Sequence, residues 1–433
     1  MSTLCTTLVT ASCLLPSAGA SPMYEASIAI ADGTILDIGP SSRIMQEYHT
    51  ENHIDLGQAL LLPGLVNTHT HAAMTLFRGL ADDLPLMQWL SEHIWPKEAK
   101  LTAHAAEVGA MLAFAEMIAG GITQFCDMYL FEERVARAAD TVGIRAVLGE
   151  GLFLAPNPSY TAIEEGLAKA EALLSQYANN DRVTGAVMPH AIYTTSPELL
   201  ESCRDMAAQY HTNIYIHAAE TAQETAMCLE THGKRPIAYL NDLGLLTPHT
   251  VLVHCVDVTS EEIELLAERG VCVSHNPKSN LKLASGVAPI PAMLESGIPV
   301  GLGTDGAASN NKLDLFSEMN VCALLHKGVG ADPTVTRATQ VLDMATRAGA
   351  ACLGQSTSGC LEKGNAADII ALDLSQPNLV PMTNPTSHAV YAADAGNVRF
   401  TMINGKVLYF DGSFTTMDYP LLLREVEELQ ASM

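Results

Sequence analysis

The stretch Ala59-Leu-Leu-Leu-Pro-Gly-Leu-Val-Asn-Thr-His-Thr-His71 reads as an apolar strand that ends in two histidines. Because side chains alternate along a strand, His69 and His71 point to the same face, within reach of one cation. A metal hydrolase built on a βα barrel places its first ligands at such a strand end. The alternative is a chance His-x-His in a chain with 15 histidines, so the remaining sequence has to distinguish the two interpretations.

Length and composition narrow the class of protein. A βα barrel takes roughly 250 residues, so a chain of 433 residues leaves room for a second, smaller domain. The formal net charge of −25 disfavours binding to nucleic-acid phosphates and favours a small-molecule substrate. No segment has the roughly 18 unbroken apolar residues of a membrane helix. Ten cysteines without a Cys-x-x-Cys pair suit a reducing cytoplasm.

The N-terminal segment has two competing interpretations. Its first 24 residues carry no side-chain charge, and Ser17-Ala-Gly-Ala20 resembles a signal-peptidase site. Secretion is disfavoured because the usual preceding basic residues are missing and Thr and Ser interrupt the apolar part. Instead, Leu4 to Leu15 is predicted to be a strand, and a hairpin follows, with Ala26–Ala31 and Thr34–Ile38 joined by the turn Asp32-Gly33. We therefore expect a structural β-domain here.

From about residue 60 onward, short apolar strands alternate with helical patterns, which predicts parallel βα units. The helical patterns include Ala103–Ala119, which Gly120-Gly121 ends, and Thr259–Arg269, which Gly270 ends. Eight such units would close a barrel, whereas a doubly wound open sheet would need a Gly-rich phosphate loop after its first strand, and none is found. The predicted strands span residues 60–68, 122–128, 144–149, 183–189, 213–217, 250–254, 271–275 and 298–304.

The C-terminal part returns to strand-like sequence. Asn365–Asp373 and Val398–Asn404 have strand patterns, and the turn Asn404-Gly405 joins the second of them to Lys406–Tyr409. These strands and those of the N-terminal segment would then share one domain.

The predicted fold class is therefore α/β, a metal-dependent (β/α)8 TIM barrel with a small β-sandwich formed by both termini. The barrel is assigned residues 59–358. The sandwich is assigned residues 1–58 and 359–433, the latter with a terminal helix.

Polar residues follow several other predicted strands. His190 ends strand four, His217 ends strand five with Glu220 three residues on, His254 closes strand six and Asp305 closes strand eight. Taken singly, a strand-end histidine is usually hydrogen-bonded in a loop, and an Asp before Gly is usually a turn residue. Together they lie at the C-terminal mouths of different strands, where a barrel enzyme carries its chemistry. His217 is a candidate third metal ligand, and Glu220 a candidate proton shuttle.

Three stretches carry a resemblance to a known family. They are Pro63-Gly-Leu-Val-Asn-Thr-His-Thr-His-Ala-Ala-Met-Thr-Leu-Phe-Arg-Gly79, Ser274-His-Asn-Pro-Lys-Ser-Asn-Leu-Lys-Leu283 and Gly303-Thr-Asp-Gly-Ala-Ala-Ser-Asn-Asn311. With the His-Ala-Ala-Glu segment, they resemble the amidohydrolase superfamily, and most of all its branch of 5-methylthioadenosine/S-adenosylhomocysteine deaminases. The resemblance covers nearly the whole chain, including the divided β-domain.

The resemblance implies one divalent metal, usually zinc, held by four residues: His69, His71, His217 and Asp305. Imidazole nitrogens with one carboxylate oxygen suit zinc, although ferrous iron accepts similar ligands. Binuclear relatives carry a carboxylated lysine at the end of strand four. This chain has Met188-Pro-His190 there, which favours a mononuclear site.

The reaction expected from this resemblance is hydrolytic deamination of an adenine ring by an activated water. Glu220 would deliver a proton to the ring nitrogen beside the carbon under attack. Asp305 would accept the proton of the water and pass it to the departing amine. His254 would orient and stabilise the attacking oxygen.

The resemblance also suggests substrate contacts. It places a ribose-binding glutamate at Glu98 and a substrate-binding histidine at His190. Many members that accept S-adenosylhomocysteine carry an arginine just after strand three, suited to a carboxylate. This chain has Glu150 there, whose charge would repel that carboxylate. We therefore expect 5′-methylthioadenosine or adenosine to be preferred over S-adenosylhomocysteine.

Three other functions stay open at this point. An s-triazine or guanine aminohydrolase would share the metal residues but would need no ribose contact from Glu98. A non-enzymatic scaffold is disfavoured because the four ligands and Glu220 are all present. A metal-independent NAD or nucleotide binder is disfavoured by the missing Gly-rich loop. The resemblance further implies a homo-oligomer, whereas the cysteine pattern, the net charge and the lack of a long apolar run predict a cytoplasmic protein that binds neither nucleic acid nor membrane.

Overall fold

Parallel strands form the centre of the molecule, whose computed structural model describes residues 3–432. Met1, Ser2 and Met433, which belong to the predicted outer segments, lie outside the described residues. One parallel sheet has the order Val183–Gly185, Arg145–Leu152, Ile122–Tyr129 and Leu65–Thr70, with Met188–Pro189 also paired to Arg145–Leu152. The other has the order Ile214–Ala218, Thr250–His254, Cys272–His275 and Val300–Leu302. The predicted α/β class with parallel strands is confirmed.

Contacts between backbones link the two parallel sheets at both of their edges. At one edge, isolated parallel bridges join Val187 to Ile214 and Ala191 to His217. At the other edge, the Asp305 amide donates to the His69 carbonyl at 3.0 Å. The C-terminal ends of the strands from both sheets therefore meet in one region.

The predicted strand 60–68 divides at Gly64 in the structure. Ala59–Pro63 pairs with antiparallel Ile369–Asp373 in an outer sheet, whereas Leu65–Thr70 joins the parallel strands. A Cβ at Gly64 would lie 2.1 Å from the side-chain oxygen of Thr123, so only glycine allows this close approach. The outer sheet consequently extends past the predicted boundary at residues 58 and 59.

Helices follow most of the parallel strands, as the alternating pattern predicts. Ala103–Ala119 begins where Thr102 accepts a hydrogen bond from the Ala105 amide, and Ser260–Arg269 begins at a capping box made by Thr259. The α-helices are Ser41–Glu47, Leu86–Trp89, Trp95–Glu98, Ala103–Ala119, Glu132–Val142, Ile163–Gln176, Pro197–Tyr210, Ala222–His232, Pro236–Asp242, Ser260–Arg269, Pro277–Lys282, Ile290–Glu295, Ala307–Asn310, Leu315–Gly330, Ala338–Met344, Arg347–Cys352, Pro385–Ser387 and Tyr419–Ser432.

The outer domain is one nine-stranded mixed sheet that contains strands from both ends of the chain. Ala59–Pro63 pairs with strands on both sides and so joins the strands from the two ends of the chain in one sheet. An isolated bridge between Thr34 and Ala366 shows that the sheet curls back on itself. The order is Ser413–Phe414, Lys406–Phe410, Val398–Ile403, Ile369–Asp373, Ala59–Pro63, Thr7–Leu14, Met23–Ala31 and Thr34–Pro40, with His53–Asp55 paired to Thr7–Leu14. A short separate pair joins Thr3–Leu4 to Tyr48–His49.

The interior of the outer sheet is apolar, and a buried ion pair joins the sheet to the parallel strands. Val9, Ile28 and Phe400 are among the residues of its core. Arg145 Nε lies 2.6 Å from Asp368 Oδ2, and these side chains are 8% and 2% exposed. Burying one partner alone would leave an uncompensated charge, so the pair fixes how the sheet sits on the central region.

No single helix within residues 3–432 is long and apolar enough to cross a membrane. The bent pair Leu86–Glu98 and Ala103–Ala119 together meets the length and composition of a span, with a bend of 116° between them. All ten cysteines are free thiols.

Candidate active site

The strand ends open into a cavity of about 740 Å³. Its floor holds residues that the sequence analysis singled out, and an aromatic and aliphatic wall surrounds them, including Trp89, Trp95, Phe153 and Leu154. His69 lies fully buried beneath the floor. The predicted site residues that line the cavity are His71, Glu98, His190, His217, Glu220, His254 and Asp305.

Three histidines converge at this floor. The Nε2 atoms of His69 and His217 are 3.1 Å apart, and the rings of His69 and His71 have centroids 4.7 Å apart. Asp305 Oδ1 lies 3.2 Å from His71 Nε2 and 3.6 Å from His69 Nε2. The strand alternation predicted for His-x-His therefore does bring both rings to one point, together with a third imidazole and a carboxylate.

The proton positions of two rings follow from their outer contacts. His71 Nδ1 lies 2.6 Å from the Met128 carbonyl, and His217 Nδ1 lies 2.7 Å from the His190 carbonyl. A carbonyl only accepts, so both Nδ1 atoms donate, and the two Nε2 atoms are left to face the rest of the group. Imidazole nitrogens and a carboxylate grouped in this way form a donor set that can hold a cation. Such outer hydrogen bonds also orient histidine ligands in metal sites.

The pKa values in this group reflect the same crowding. Burial lowers the pKa of His69 to about 4. Burial would also lower the pKa of His71, but its bond to Asp305 prevails and raises the value to about 9. Burial alone would raise the pKa of Asp305, yet hydrogen bonds from His69 and His71 hold it well below its usual range. Asp305 is thus a carboxylate that attracts positive charge.

Asp305 is held rigidly by its neighbours. Its backbone has a left-handed φ of 60°. The hydroxyls of Ser279 and Ser309 donate to Oδ2 at 2.5 and 2.9 Å, and the Gly306 amide donates to Oδ1 at 2.8 Å. Conformations of this kind are concentrated at functional sites, where the surrounding contacts maintain them.

His254 and Glu220 lie side by side at the cavity floor. His254 Nε2 is 3.9 Å from Glu220 Oε2, and His254 Nδ1 makes a 2.8 Å bond to Asn280 Oδ1. Burial raises the pKa of Glu220, which favours its protonated form. The amides of Ala219 and Glu220 donate to the Glu224 carboxylate at 3.1 and 2.7 Å, so a second glutamate fixes the backbone.

The two other predicted substrate residues also reach the cavity. Glu98 Oε1 accepts a 2.6 Å hydrogen bond from the Tyr129 hydroxyl, and burial raises the pKa of Glu98. His190 Nδ1 lies 2.9 Å from Thr194 Oγ1. Burial lowers the pKa of His190 to about 3, so this ring is neutral at physiological pH.

Glu150 does not reach the cavity, contrary to the sequence-based prediction. It lies inside Arg145–Leu152 and is buried, with its carboxylate accepting from the Phe131 and Glu132 amides at 3.3 and 3.0 Å. The next residue, Gly151, faces the cavity instead. Glu150 therefore caps the start of Glu132–Val142 and cannot repel a substrate carboxylate.

Several residues of the site were missed by the sequence analysis. Asp127 Oδ1 accepts from the Thr70 hydroxyl at 2.8 Å and the Ala72 amide at 2.7 Å, one on each side of His71. Tyr129 lies two residues on along the same strand. Their strand is buried along its whole length although it contains Thr123, Gln124 and Asp127, and these polar residues were the available signal. Glu224 and Asn280 carried none beyond ordinary helix composition.

A second histidine cluster lies outside the cavity. His275 and His326 have Nε2 atoms 3.2 Å apart, and Cys322 completes a group whose ligand atoms all lie within 4.8 Å. His275 ends Cys272–His275, and the other two residues lie on Leu315–Gly330. Burial lowers the pKa of His326 to about 4, so a neutral ring is expected there.

Comparison with known proteins gives consistent matches. A sequence profile described as the amidohydrolase family matches residues 60–408. A 5-methylthioadenosine/S-adenosylhomocysteine deaminase from Nitratidesulfovibrio vulgaris is 49% identical over 427 residues, covering 98% of this chain and 97% of that protein.

Solved structures agree in fold. A zinc-bound adenosine deaminase from Xanthomonas campestris superposes with a TM-score of 0.97, 36% identity and full coverage of both chains. A zinc-bound atrazine chlorohydrolase from Arthrobacter aurescens superposes with a TM-score of 0.90 at 25% identity, covering 98% of this chain and 100% of that one.

Proposed function

Because this chain belongs to the amidohydrolase family, and within it to the 5-methylthioadenosine/S-adenosylhomocysteine deaminases, we propose that its cavity deaminates a 5′-substituted adenine nucleoside. The enzyme is a hydrolytic deaminase, and the family depends on metal. The observation that carries the assignment is the convergence of three imidazoles and Asp305 beside Glu220, at the floor of a cavity large enough for a nucleoside.

The fold proposed for the central region is a closed (β/α)8 barrel. Its support is the linkage of the two parallel sheets at both edges, through the Val187–Ile214 bridge and the bond between Asp305 and His69. Closure explains why residues from distant strands share one mouth. The division into residues 59–358 and two outer segments is proposed with it, the outer sheet gaining Ala59–Pro63.

The residues proposed to hold one divalent cation are His69, His71, His217 and Asp305. The fit rests on their Nε2 lone pairs and the ionised Asp305 carboxylate, a donor set that suits zinc and also accepts ferrous iron. When bound, the cation would lower the pKa of a water molecule so that hydroxide forms near neutral pH. Strand four ends at His190, without the lysine of binuclear relatives, which supports a single ion.

The proton transfers are assigned to two carboxyl groups. Glu220, protonated over a wider pH range because it is buried, donates to the ring nitrogen beside the carbon that loses its amine. Asp305, which stays ionised, accepts the proton of the attacking water and delivers it to the departing amine. His254, held by Asn280, orients the oxygen for attack. Ammonia and the hypoxanthine nucleoside are the products.

The preferred substrate is proposed to be 5′-methylthioadenosine, with adenosine and S-adenosylhomocysteine as further possibilities. Glu98 would bind the ribose hydroxyls and His190 the base. The preference for 5′-methylthioadenosine does not depend on Glu150. It rests on the cavity wall, where the lining residues within 3–432 include neither lysine nor arginine, while Leu154 and Pro156 offer apolar surface. A thioether suits that wall better than a carboxylate.

An s-triazine or guanine aminohydrolase is the second candidate, favoured by the likeness to the atrazine chlorohydrolase. Such a reaction needs no ribose contact. Glu98→Ala would leave it unchanged but would raise KM for a nucleoside.

The test is a deamination assay of metal-loaded protein with 5′-methylthioadenosine, adenosine, S-adenosylhomocysteine, guanine and an s-triazine. We expect loss of the adenine absorbance and release of ammonia, with the highest kcat/KM for 5′-methylthioadenosine. Turnover of guanine or the triazine alone would refute the nucleoside assignment. Homo-oligomer assembly and a cytoplasmic location stay predictions from the sequence, and sedimentation would test the first of them.

A further inference from the structure

Tyr129 connects two parts of the candidate site. It ends Ile122–Tyr129, is 6% exposed, and lines the cavity. Its hydroxyl donates to Glu98 Oε1 at 2.6 Å, and its ring centroid lies 5.8 Å from that of His71. Tyr129 therefore connects the strand whose Met128 carbonyl contacts His71 with the part of the cavity wall that contains Glu98.

Glu98 depends on this contact because it lies at the very end of its helical segment. The segment runs from Leu86 to Glu98, is π-helical over Leu90–Ile94, and has Glu98 as its last helical residue. The last turn of a helix frays more readily than a buried strand in a paired sheet. The strand of Tyr129, by contrast, is buried along its whole length and paired on both sides.

We infer that Tyr129 is a positioning residue that fixes the Glu98 carboxylate for the ribose hydroxyls and so selects nucleosides carrying both of them. Glu98 Oε1 accepts the hydrogen bond from the Tyr129 hydroxyl, which leaves Oε2 to accept hydrogen bonds from the sugar. The contact between Glu98 and the two ribose hydroxyls therefore affects substrate binding and not proton transfer to the base. This inference rests on the proposed function and assigns a determinant of its specificity.

The experiment compares Tyr129→Phe with the wild type on 5′-methylthioadenosine and on its 2′,3′-dideoxy analogue. Loss of a hydrogen bond to a charged group is expected to raise KM for the ribonucleoside about tenfold, with kcat changed less than about twofold. KM for the dideoxy analogue should stay unchanged, because that substrate offers Glu98 no hydroxyl. The double variant Tyr129→Phe/Glu98→Gln should bind no worse than Glu98→Gln alone.

The control is Tyr160→Phe, which removes another buried phenol hydroxyl, one that accepts from the Phe153 amide and donates to the Gly151 carbonyl. It should not alter the ratio of the two KM values. Equal rises in KM for both substrates in Tyr129→Phe, or additive effects in the double variant, would overturn the inference. A wild type that deaminates neither substrate would overturn the proposed function and the inference together.

Discussion

The two histidine clusters of this molecule have nearly the same spacing and different surroundings. In the first, the Nε2 atoms of His69 and His217 lie 3.1 Å apart, Asp305 Oδ1 lies 3.2 Å from His71 Nε2, and His217 and Asp305 line the cavity. In the second, Nε2 atoms 3.2 Å apart have the Cys322 thiol beside them, and burial raises the pKa of that thiol. None of the second group is among the cavity-lining residues within 3–432.

The difference shows what a metal site needs beyond close imidazoles. His71 and His217 donate their Nδ1 protons to carbonyls, so their Nε2 atoms point inward, where Asp305 Oδ1 lies 3.2 Å from His71 Nε2. In the second cluster the third member is a thiol, and burial lowers the pKa of both His275 and His326, which favours a hydrogen bond between neutral rings. We therefore propose the first cluster, and not the second, as the cation site.

The largest effect that would test this contrast is expected from Asp305→Asn. Removing the negative charge should release the metal and lower kcat/KM by about a thousandfold or more. His326→Gln should leave one metal per chain. Elemental analysis and kinetics of both variants test which cluster binds the metal. Metal retained in Asp305→Asn, or lost from His326→Gln, would reverse the assignment.

Glu220→Gln should separate metal binding from proton transfer within the first cluster. The amide keeps the shape of the side chain but has no acidic proton, so turnover should fall roughly 10²- to 10⁴-fold while the metal content stays unchanged. Elemental analysis and kcat measured on the same preparation give both values. Near-normal turnover would remove Glu220 from the mechanism.

A smaller effect is expected from His326→Leu in the second cluster. Losing one imidazole leaves His275 buried without its partner, which should lower the free energy of unfolding by about 2 kcal/mol. The folded fraction of this variant should have the kcat/KM of the wild type. Denaturant unfolding, followed with metal held constant, measures the change; a lost activity without lost stability would contradict a purely structural role.

The last effect develops gradually with pH and concerns Glu318, which lies on the same helix as Cys322 and His326. Burial raises the pKa of Glu318 to about 8, above the value near 4.5 for an exposed glutamate. The folded state therefore binds more protons than the unfolded state between these values, and its stability falls as pH rises through that window. Relative to Glu318→Gln, the wild type should lose about 1 kcal/mol per pH unit from pH 5 to 8. A constant difference across this range would contradict the raised pKa.

Much of the central region could be predicted from the sequence. Three signals located the strands: their spacing, the glycines that end helices and the polar residues at strand ends. The residues predicted to share one site do line one cavity in the structure, among them His71, His217, His254 and Asp305. Each of these signals is local, because a strand end is marked by the change from apolar to polar residues.

The sequence does not determine which side chains of a strand that is buried on both faces point into the cavity. Every residue of Arg145–Leu152 is buried, so alternation cannot tell Glu150 from Gly151. The same limit hid Asp127 and Tyr129. The order of the strands in the curled outer sheet could not be predicted for a different reason, since it depends on pairing between strands that lie far apart in the chain.

That pairing has a consequence for how the protein is made. A ribosome releases Ala59–Pro63 early, together with its neighbour Thr7–Leu14, yet its other partner Ile369–Asp373 emerges only after the whole central region. Until then Ala59–Pro63 has one side with unsatisfied amide and carbonyl groups, a surface prone to wrong pairing. We expect nascent chains stopped before Ile369 to be held by chaperones or degraded, because Ala59–Pro63 is protected from aggregation only once Ile369–Asp373 has been synthesised.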